Sequence, residues 1–352
     1  MNGFRVFSVL LRGQRSPRNI FFLIAGADRS RGFYESYCGD REVPGVLKLI
    51  EGWTGPGFLP FYGSGETMHF LREKMEGIEQ LRVYLPPVDE GKLKKFAALV
   101  MLIDHFAYAF LERVRTPEGR PLMFSLQGGF LLDRILRAVG RQAFPIFCFF
   151  LVEGFFYTSS RWKYFVRLFL FAVLSQIPFQ FCLFPQADVL HLNVIGTLCL
   201  GYLAIWCLEE LGKAFTRQAG KGGEELQAGA RAPGWNLRGL SPVYALLLLI
   251  AFGGTVTGFG RLAQALRSDY SYGGVGLIVI LYLLREYRFA ALFISWVWMS
   301  WYNGFEVYAA PAFFLLACYN GKRGKQSKYF FYFFYPAHLL ALWLVRRYLY
   351  GY

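Results

Sequence analysis

A chain of 352 residues that is 55% hydrophobic and 19% aromatic, with 18% charged residues and a mean hydropathy of +0.32, is too apolar for a soluble domain, in which about a quarter of residues carry charge. The first 90 residues hold equal numbers of acidic and basic side chains, so the formal net charge of +14 belongs to the apolar remainder. There the basic residues sit in short loops and form no single stripe, which excludes a nucleic-acid-binding surface and fits anionic headgroups on one side of a membrane.

The apolar runs approach or exceed the roughly 18 residues of a transmembrane helix. They do not alternate as barrel strands would. The fold class expected is all-α, a polytopic integral membrane bundle of about nine transmembrane helices behind a poorly defined N-terminal extension. Cys148, Cys182, Cys199, Cys207 and Cys318 lie in apolar spans, and with Cys38 they form no CxxC pair. They read as small buried hydrophobes, and no metal-ligand spacing is present.

Residues 1–90 have apolar segments too short to span, Phe4–Leu11 and Ile20–Ala25, and one candidate amphipathic helix, Glu66–Leu81. They carry no catalytic motif and fit a signal peptide poorly. They read as a separate extension, cytoplasmic if the N-terminus lies inside. Span one, 94–112, follows Lys92, Lys94 and Lys95 and holds Asp104 and His105 near its middle. Asp104, Tyr108 and Glu112 fall on one face, with His105 beside it. Residues 113–140 are a polar connection that ends in a short interfacial helix, Leu131–Val139, with Arg137 and Arg141 one turn apart.

Span two, 143–159, carries Pro145 in its first turn and Glu153 near its middle. Span three, 163–184, carries Ser175, Gln176 and Pro178, and the proline should kink it. Span four, 191–210, opens with His191 and Asn193. A Gly-, Lys- and Glu-rich loop, 211–239, reads as flexible. Spans five to nine follow at 241–257, 270–285, 288–302, 305–320 and 329–347, the last holding Tyr335, Pro336 and His338. With the N-terminus inside, the inner loops carry the lysines and arginines. The exception is 113–141, whose arginines fall on the outer side. Its explanation is that Arg137 and Arg141 face a site.

Ionisable residues inside a membrane are expensive and mark sites. His105 is the candidate general base. Asp104, about 100° away on the same helix, is expected to pair with Arg137 or Arg141. Glu153 needs a cationic partner across the bundle. Arg141 suits a phosphate or carboxylate. His338 faces the cavity or caps backbone exposed by Pro336. Gln176 and Asn193 are candidate substrate contacts, with helix–helix hydrogen bonding as the plainer reading.

The run Met101-Leu-Ile-Asp104-His105, then Gly140-Arg141-Gln-Ala-Phe-Pro145, Glu153-Gly154-Phe, Ser175-Gln176-Ile-Pro178-Phe, Asn193 with Thr197 and Gly201, Asp269-Tyr270 with Gly273 and Gly276, and Phe334-Tyr335-Pro336-Ala-His338 resembles the TraX family over most of 92–348. The resemblance implies a membrane-embedded acetyltransferase that takes acetyl from cytoplasmic acetyl-CoA. The family's named member acetylates the N-terminus of conjugative pilin, while many members have no obvious pilin partner.

His105, Asp104, Glu153 and His338 are then the expected catalytic residues. Arg137, Arg141, Gln176, Asn193, Asp269, Tyr270 and Tyr335 are expected to bind substrate. Arg161, Lys163 and Arg167 would meet the CoA phosphates. The acceptor, a pilin-like peptide, a glycan or a small molecule, is open, as is transfer to nitrogen or oxygen. Membrane lipids are partners and no metal is needed. The expected location is a bacterial cytoplasmic membrane, with multiple passes. A proton-coupled transporter or flippase is the alternative, and a noncatalytic scaffold a weaker one.

Overall fold

The computed structural model describes residues 73–80, 84–184, 191–218, 242–326 and 329–351, with two short strands near the N-terminus. It divides into two units, Met1–Glu73 and Lys74–Tyr352. In the first, Leu10–Leu11 pairs antiparallel with Ile20–Phe21, Leu10 opposite Phe21. Of the helix expected over Glu66–Leu81, residues 73–80 are helical and the rest lies outside the described residues. The expected flexible loop lies outside them too from residue 219 onward.

The second unit is a helical bundle. Helix α1 (Glu90–Phe106) runs into a π-helical segment, Ala107–Glu112. Short α2 (Leu122–Ser125) and amphipathic α3 (Gly129–Gly140) follow. Then come α4 (Ala143–Tyr157), α5 (Arg161–Leu183), α6 (Val194–Gln218), α7 (Pro242–Ala265), α8 (Ser271–Leu283) and α9 (Arg288–Tyr302). A 3-10 turn, Gly304–Ala309, leads into α10 (Ala310–Ala317), and α11 (Phe330–Tyr350) closes the chain.

Every expected span coincides with a helical segment. Among the described residues, however, four helical stretches are long and apolar enough to cross a membrane: Gly129–Tyr157, Arg161–Leu183, Val194–Phe215 and Val243–Ala265. Ser271–Leu283 and Gly304–Ala317 are apolar but shorter. At 1.5 Å per residue, a 13-residue helix reaches only about 20 Å of a roughly 30 Å hydrocarbon layer. The count of about nine spans therefore does not follow from helix length. Two helices also outrun the expected spans, α6 to Gln218 and α7 to Ala265. In α6 the extension is polar, because Glu209 and Lys213 turn inward to an ion cluster with Arg161.

Helix ends show how the bundle alternates. Arg285, just past α8, pairs with Glu153 near the end of α4 (2.7 Å). Arg161, opening α5, pairs with Glu210 near the end of α6 (2.9 Å). Arg288, opening α9, donates to the carbonyl of Tyr319 beyond α10. The N–H groups of Glu90 and Gly91 donate to the carbonyls of Lys322 and Arg323 (3.0 and 3.1 Å). These ends gather the described lysines and arginines of the expected inner loops at one end of the bundle, here called the basic end. Helix α3, Asn193, the loop 266–270 and the 3-10 turn lie at the other.

The outer faces are apolar. Leu246, Leu249 and Ile250 of α7 and Leu170, Leu174 and Ile177 of α5 are all more than half exposed. Such faces cost little in hydrocarbon and much in water, so they fit a membrane protein. Inside, close helix approach is obtained with glycine. A Cβ on Gly201 of α6 would overlap Ile278 of α8.

The largest fully buried side chain is Arg346 of α11, 1% exposed. Its guanidinium donates to the carbonyls of Cys182 (2.6 Å) and Phe181 (2.8 Å) at the end of α5, and to Ala109 (3.3 Å) in the π-helical segment. A helix leaves its last four carbonyls without intrahelical partners. Arg346 satisfies two of them and ties three segments together. Replacement by methionine fills the space and leaves those acceptors bare. Arg346→Met should cost about 2–6 kcal/mol, at 1–3 kcal/mol for each of the two stranded helix-end carbonyls, read as a lower SDS-unfolding midpoint. An unchanged midpoint would refute this role.

Candidate active site

Asp104 and His105 lie at the end of α1, and both are buried. Being neighbours on a helix they point apart, and each has its own partner. Asp104 faces α3, where Arg137 reaches it at 2.7 Å and Arg141 binds its two oxygens at 2.9 and 3.0 Å. Both arginines therefore turn inward to Asp104; Arg141 lines the bundle's cavity and Arg137 does not. Arg137 also pairs with Glu112 (3.2 Å). Arg141 also meets Glu306 (3.3 Å) and lies over the Tyr270 ring. Gly140 makes this possible, since a Cβ there would overlap the Asp104 side chain.

His105 faces α11. Its Nδ1 lies 2.6 Å from Nε2 of His338, and Nδ1 of His338 lies 2.7 Å from the carbonyl oxygen of Phe334. A carbonyl only accepts, so His338 carries its proton on Nδ1 and accepts at Nε2. His105 must then donate from Nδ1, which leaves its Nε2 lone pair free. The hydrogen-bond chain assigns this tautomer. His338 therefore orients His105 from behind and does not line the cavity that His105 faces.

That cavity has a volume of about 570 Å³. At the basic end it is lined by Glu90, Lys94, Arg167 and Arg323. Glu153 and Tyr164, near the basic ends of α4 and α5, also line it there, and its deep end carries Met101, Asp104, His105, Arg141, Asp269, Tyr270 and Tyr335. Asp269 is exposed to it. The loop presenting Asp269 and Tyr270 is constrained. The N–H of Asp269 bonds Leu192 (3.0 Å), its carbonyl accepts from the Thr197 hydroxyl, and Tyr270 stacks on Phe144. Arg267, Tyr270 and Ser271 adopt positive φ of 48°, 60° and 43°. Such strain in residues other than glycine persists only when neighbouring contacts enforce it, and it clusters at functional sites.

The remaining expected residues separate. Glu153 has the cationic partner it needs, Arg285, and lines the cavity towards the basic end. Gln176 and Asn193 do not line the cavity. Asn193 donates to Gln176 (3.0 Å) and to the carbonyl of Ala172 (2.7 Å), and its Oδ1 accepts from the N–H groups of Ile195 and Gly196 (3.0 and 3.2 Å). The pair caps α6 and fastens it to α5. Of the three expected phosphate contacts, Arg167 lines the cavity, and its Nε is buried without a hydrogen-bond partner among the described residues. Arg161 is committed to Glu209 and Glu210, and Lys163 is exposed outside the cavity.

Glu306 was not anticipated from the sequence. It is 1% exposed, and its Oε2 has no partner among the described residues. An acid between the apolar runs of α9 and α10 was the available signal. No group of three or more potential metal ligands occurs among the described residues.

The chain is 35% identical over 122 residues to the "Probable fimbrial assembly protein FimC, serogroup H1" of Dichelobacter nodosus, a match covering 32% of this chain. It spans 44%, less than half, of that relative's length. No solved structure matches. The family model described as "TraX protein" matches residues 90–346, which contain the ion cluster, the histidine pair and the whole cavity lining, and the chain accordingly belongs to the TraX family.

Proposed function

We propose that this protein is a membrane-embedded acetyltransferase that uses acetyl-CoA from the basic end of the bundle and acetylates an amine or hydroxyl acceptor arriving from the opposite side. One observation carries the reading. A single cavity is lined by Lys94, Arg167 and Arg323 towards its basic end and by His105, whose Nε2 is left free, at its deep end. Lys94 and His105 are eleven residues apart on α1, about 16 Å along its axis at 1.5 Å per residue, a distance suited to an extended pantetheine arm. The phosphates would sit at the basic mouth, where Lys94, Arg167 and Arg323 line the wall. The thioester would then lie at the histidine.

In this reading His105 takes the acceptor's proton at Nε2 as the acceptor attacks. His338 holds the imidazole in the working tautomer and stabilises the imidazolium through the Nδ1 proton. The Asp104–Arg141–Glu306 cluster closes the deep end of the cavity and positions the acceptor. Arg137 fixes Asp104 from the other side. The positive-inside pattern supports a cytoplasmic basic end, the side from which acetyl-CoA would be drawn. The name of the fimbrial relative, together with the family's named pilin acetylase, makes a pilus subunit one candidate acceptor.

Purified protein in detergent with radiolabelled acetyl-CoA should bind it and release CoA slowly by hydrolysis. His105→Ala should abolish turnover while folding and donor binding persist. Equal turnover in the variant would remove His105 from its role. No binding by folded wild type would reject the reading and favour a proton-coupled transporter built on the same buried charges. Arg167→Ala should weaken acetyl-CoA binding roughly tenfold to a hundredfold, the 1.5–3 kcal/mol of a hydrogen bond to a charged group. Lys163→Ala should leave it unchanged. Calorimetric titration of both variants decides between these positions.

A further inference from the structure

Between α10 and α11 lies a basic loop, residues 320–326, with the sequence Asn-Gly-Lys-Arg-Gly-Lys-Gln. It is held against the start of α1. The N–H of Asn320 donates to the carbonyl of Val88 (2.9 Å), and the carbonyls of Lys322 and Arg323 accept from the N–H groups of Glu90 and Gly91 (3.0 and 3.1 Å). Gln326 donates from Nε2 to the same Arg323 carbonyl (3.4 Å). Gly321 and Gly324 take positive φ of 78° and 66°, and a Cβ on Gly324 would overlap the Asp89 carboxylate. Glycine adopts positive φ at no steric cost, so the chain turns sharply and stays against α1.

The backbone of Arg323 is thus fixed, and its side chain is free. Arg323 is exposed and lines the cavity together with Gly321 and Gln326, and its guanidinium has no ion pair or hydrogen bond among the described residues. Other cations at this end are committed: Lys94 to Glu90 (2.6 Å), Arg161 to Glu209 and Glu210, Arg285 to Glu153, and Arg288 to the Tyr319 carbonyl. Glu90 also lines the cavity and offsets the charge of Lys94, so the surplus positive charge of the mouth comes from Arg167 and this loop. The loop lies beyond Lys94. Glu90 and Gly91, to which it is bonded, are about 5 Å further from His105 along α1 than Lys94 is, at 1.5 Å per residue.

Resting on the acetyl-CoA reading, we propose that the loop 320–326 is the site for the 3′-phosphate of CoA, with Arg323 as its contact, and that it selects CoA over donors lacking that phosphate. With the thioester at His105 and the pantetheine arm along α1, the diphosphate reaches the level of Lys94 and Arg167. The next part of the donor outward is the ribose with its 3′-phosphate, and the next wall outward is this loop. A phosphate monoester carries about two negative charges and three strong acceptor oxygens. An unpaired arginine fork matches it in charge and in geometry. A rigid loop holds that fork in place without ordering it anew at each binding event.

Calorimetric titration of acetyl-CoA and acetyl-3′-dephospho-CoA into wild type, Arg323→Ala and Lys325→Ala, in neutral detergent, tests this. Wild type should bind acetyl-CoA about tenfold to a hundredfold more tightly than the dephospho donor, the range of a hydrogen bond to a charged group. Arg323→Ala should lose that preference and bind the dephospho donor as wild type does. Lys325→Ala removes an equal charge from the same loop outside the cavity lining and should keep the preference. Equal binding of the two donors by wild type would overturn the proposal and leave Arg323 to anionic headgroups. A preference that survives Arg323→Ala would overturn it too, as would equal loss of both donors in that variant, which marks a structural role. So would a preference lost equally in Lys325→Ala, which marks a diffuse field. In all of these cases wild type still binds acetyl-CoA. Wild type that binds neither donor rejects the acetyl-CoA reading itself and takes the proposal with it.

Discussion

The bundle depends on one buried carboxylate. Asp104 lies where an unpaired charge could not stay, and Arg137 and Arg141 hold it from two directions. Taking ions out of water costs several kcal/mol each, and only good geometry with further hydrogen bonds offsets that. The geometry here is supplied by α3, which brings both arginines on successive turns, and by Gly140, which lets its end touch α1. The six arginines of the 113–141 connection looked out of place for an outer loop because their count ignores direction. Two of them are directed inward as counter-ions.

The same constraint divides the work between two adjacent residues. Asp104 and His105 share no contact because a helix turns about 100° between them. One faces α3 and belongs to an ionic cluster; the other faces α11 and belongs to a hydrogen-bonded pair. The π-helical segment that follows, Ala107–Glu112, widens the turn where Arg346 anchors. π-turns recur at functional sites because they re-aim side chains over a short distance. Tyr108 and Glu112, on the Asp104 face by α-helical spacing, meet Arg137 there.

Around this centre the two ends of the bundle differ in charge. The ends that carry surplus lysine and arginine gather at one mouth of the cavity. The acids Asp104, Asp269 and Glu306 gather at its depth. The wall is also aromatic, with Phe150, Tyr164, Phe331 and Tyr332, and Glu153 lines it while paired with Arg285.

Membrane character, helix positions and the leading ionisable residues were legible in the sequence, because apolar length and an intramembrane charge are local signals. So was the pairing of Asp104 with the arginines, since a lone buried acid demands a cation. The span count was not legible: short helices such as Ser271–Leu283 are as apolar as long ones, and hydropathy does not fix how far a helix reaches. The partner of His105 lies 233 positions away, and that of Arg141 in Glu306 lies 165 positions away. No periodicity connects such residues. Tertiary packing alone decided that His338 stands behind His105, that Gln176 and Asn193 cap a helix and do not touch the cavity, and that Arg167 reaches the cavity while Arg161 is taken up by Glu209. In each case the side chain's chemistry was written in the sequence, and its direction was set by which helix came to lie beside it.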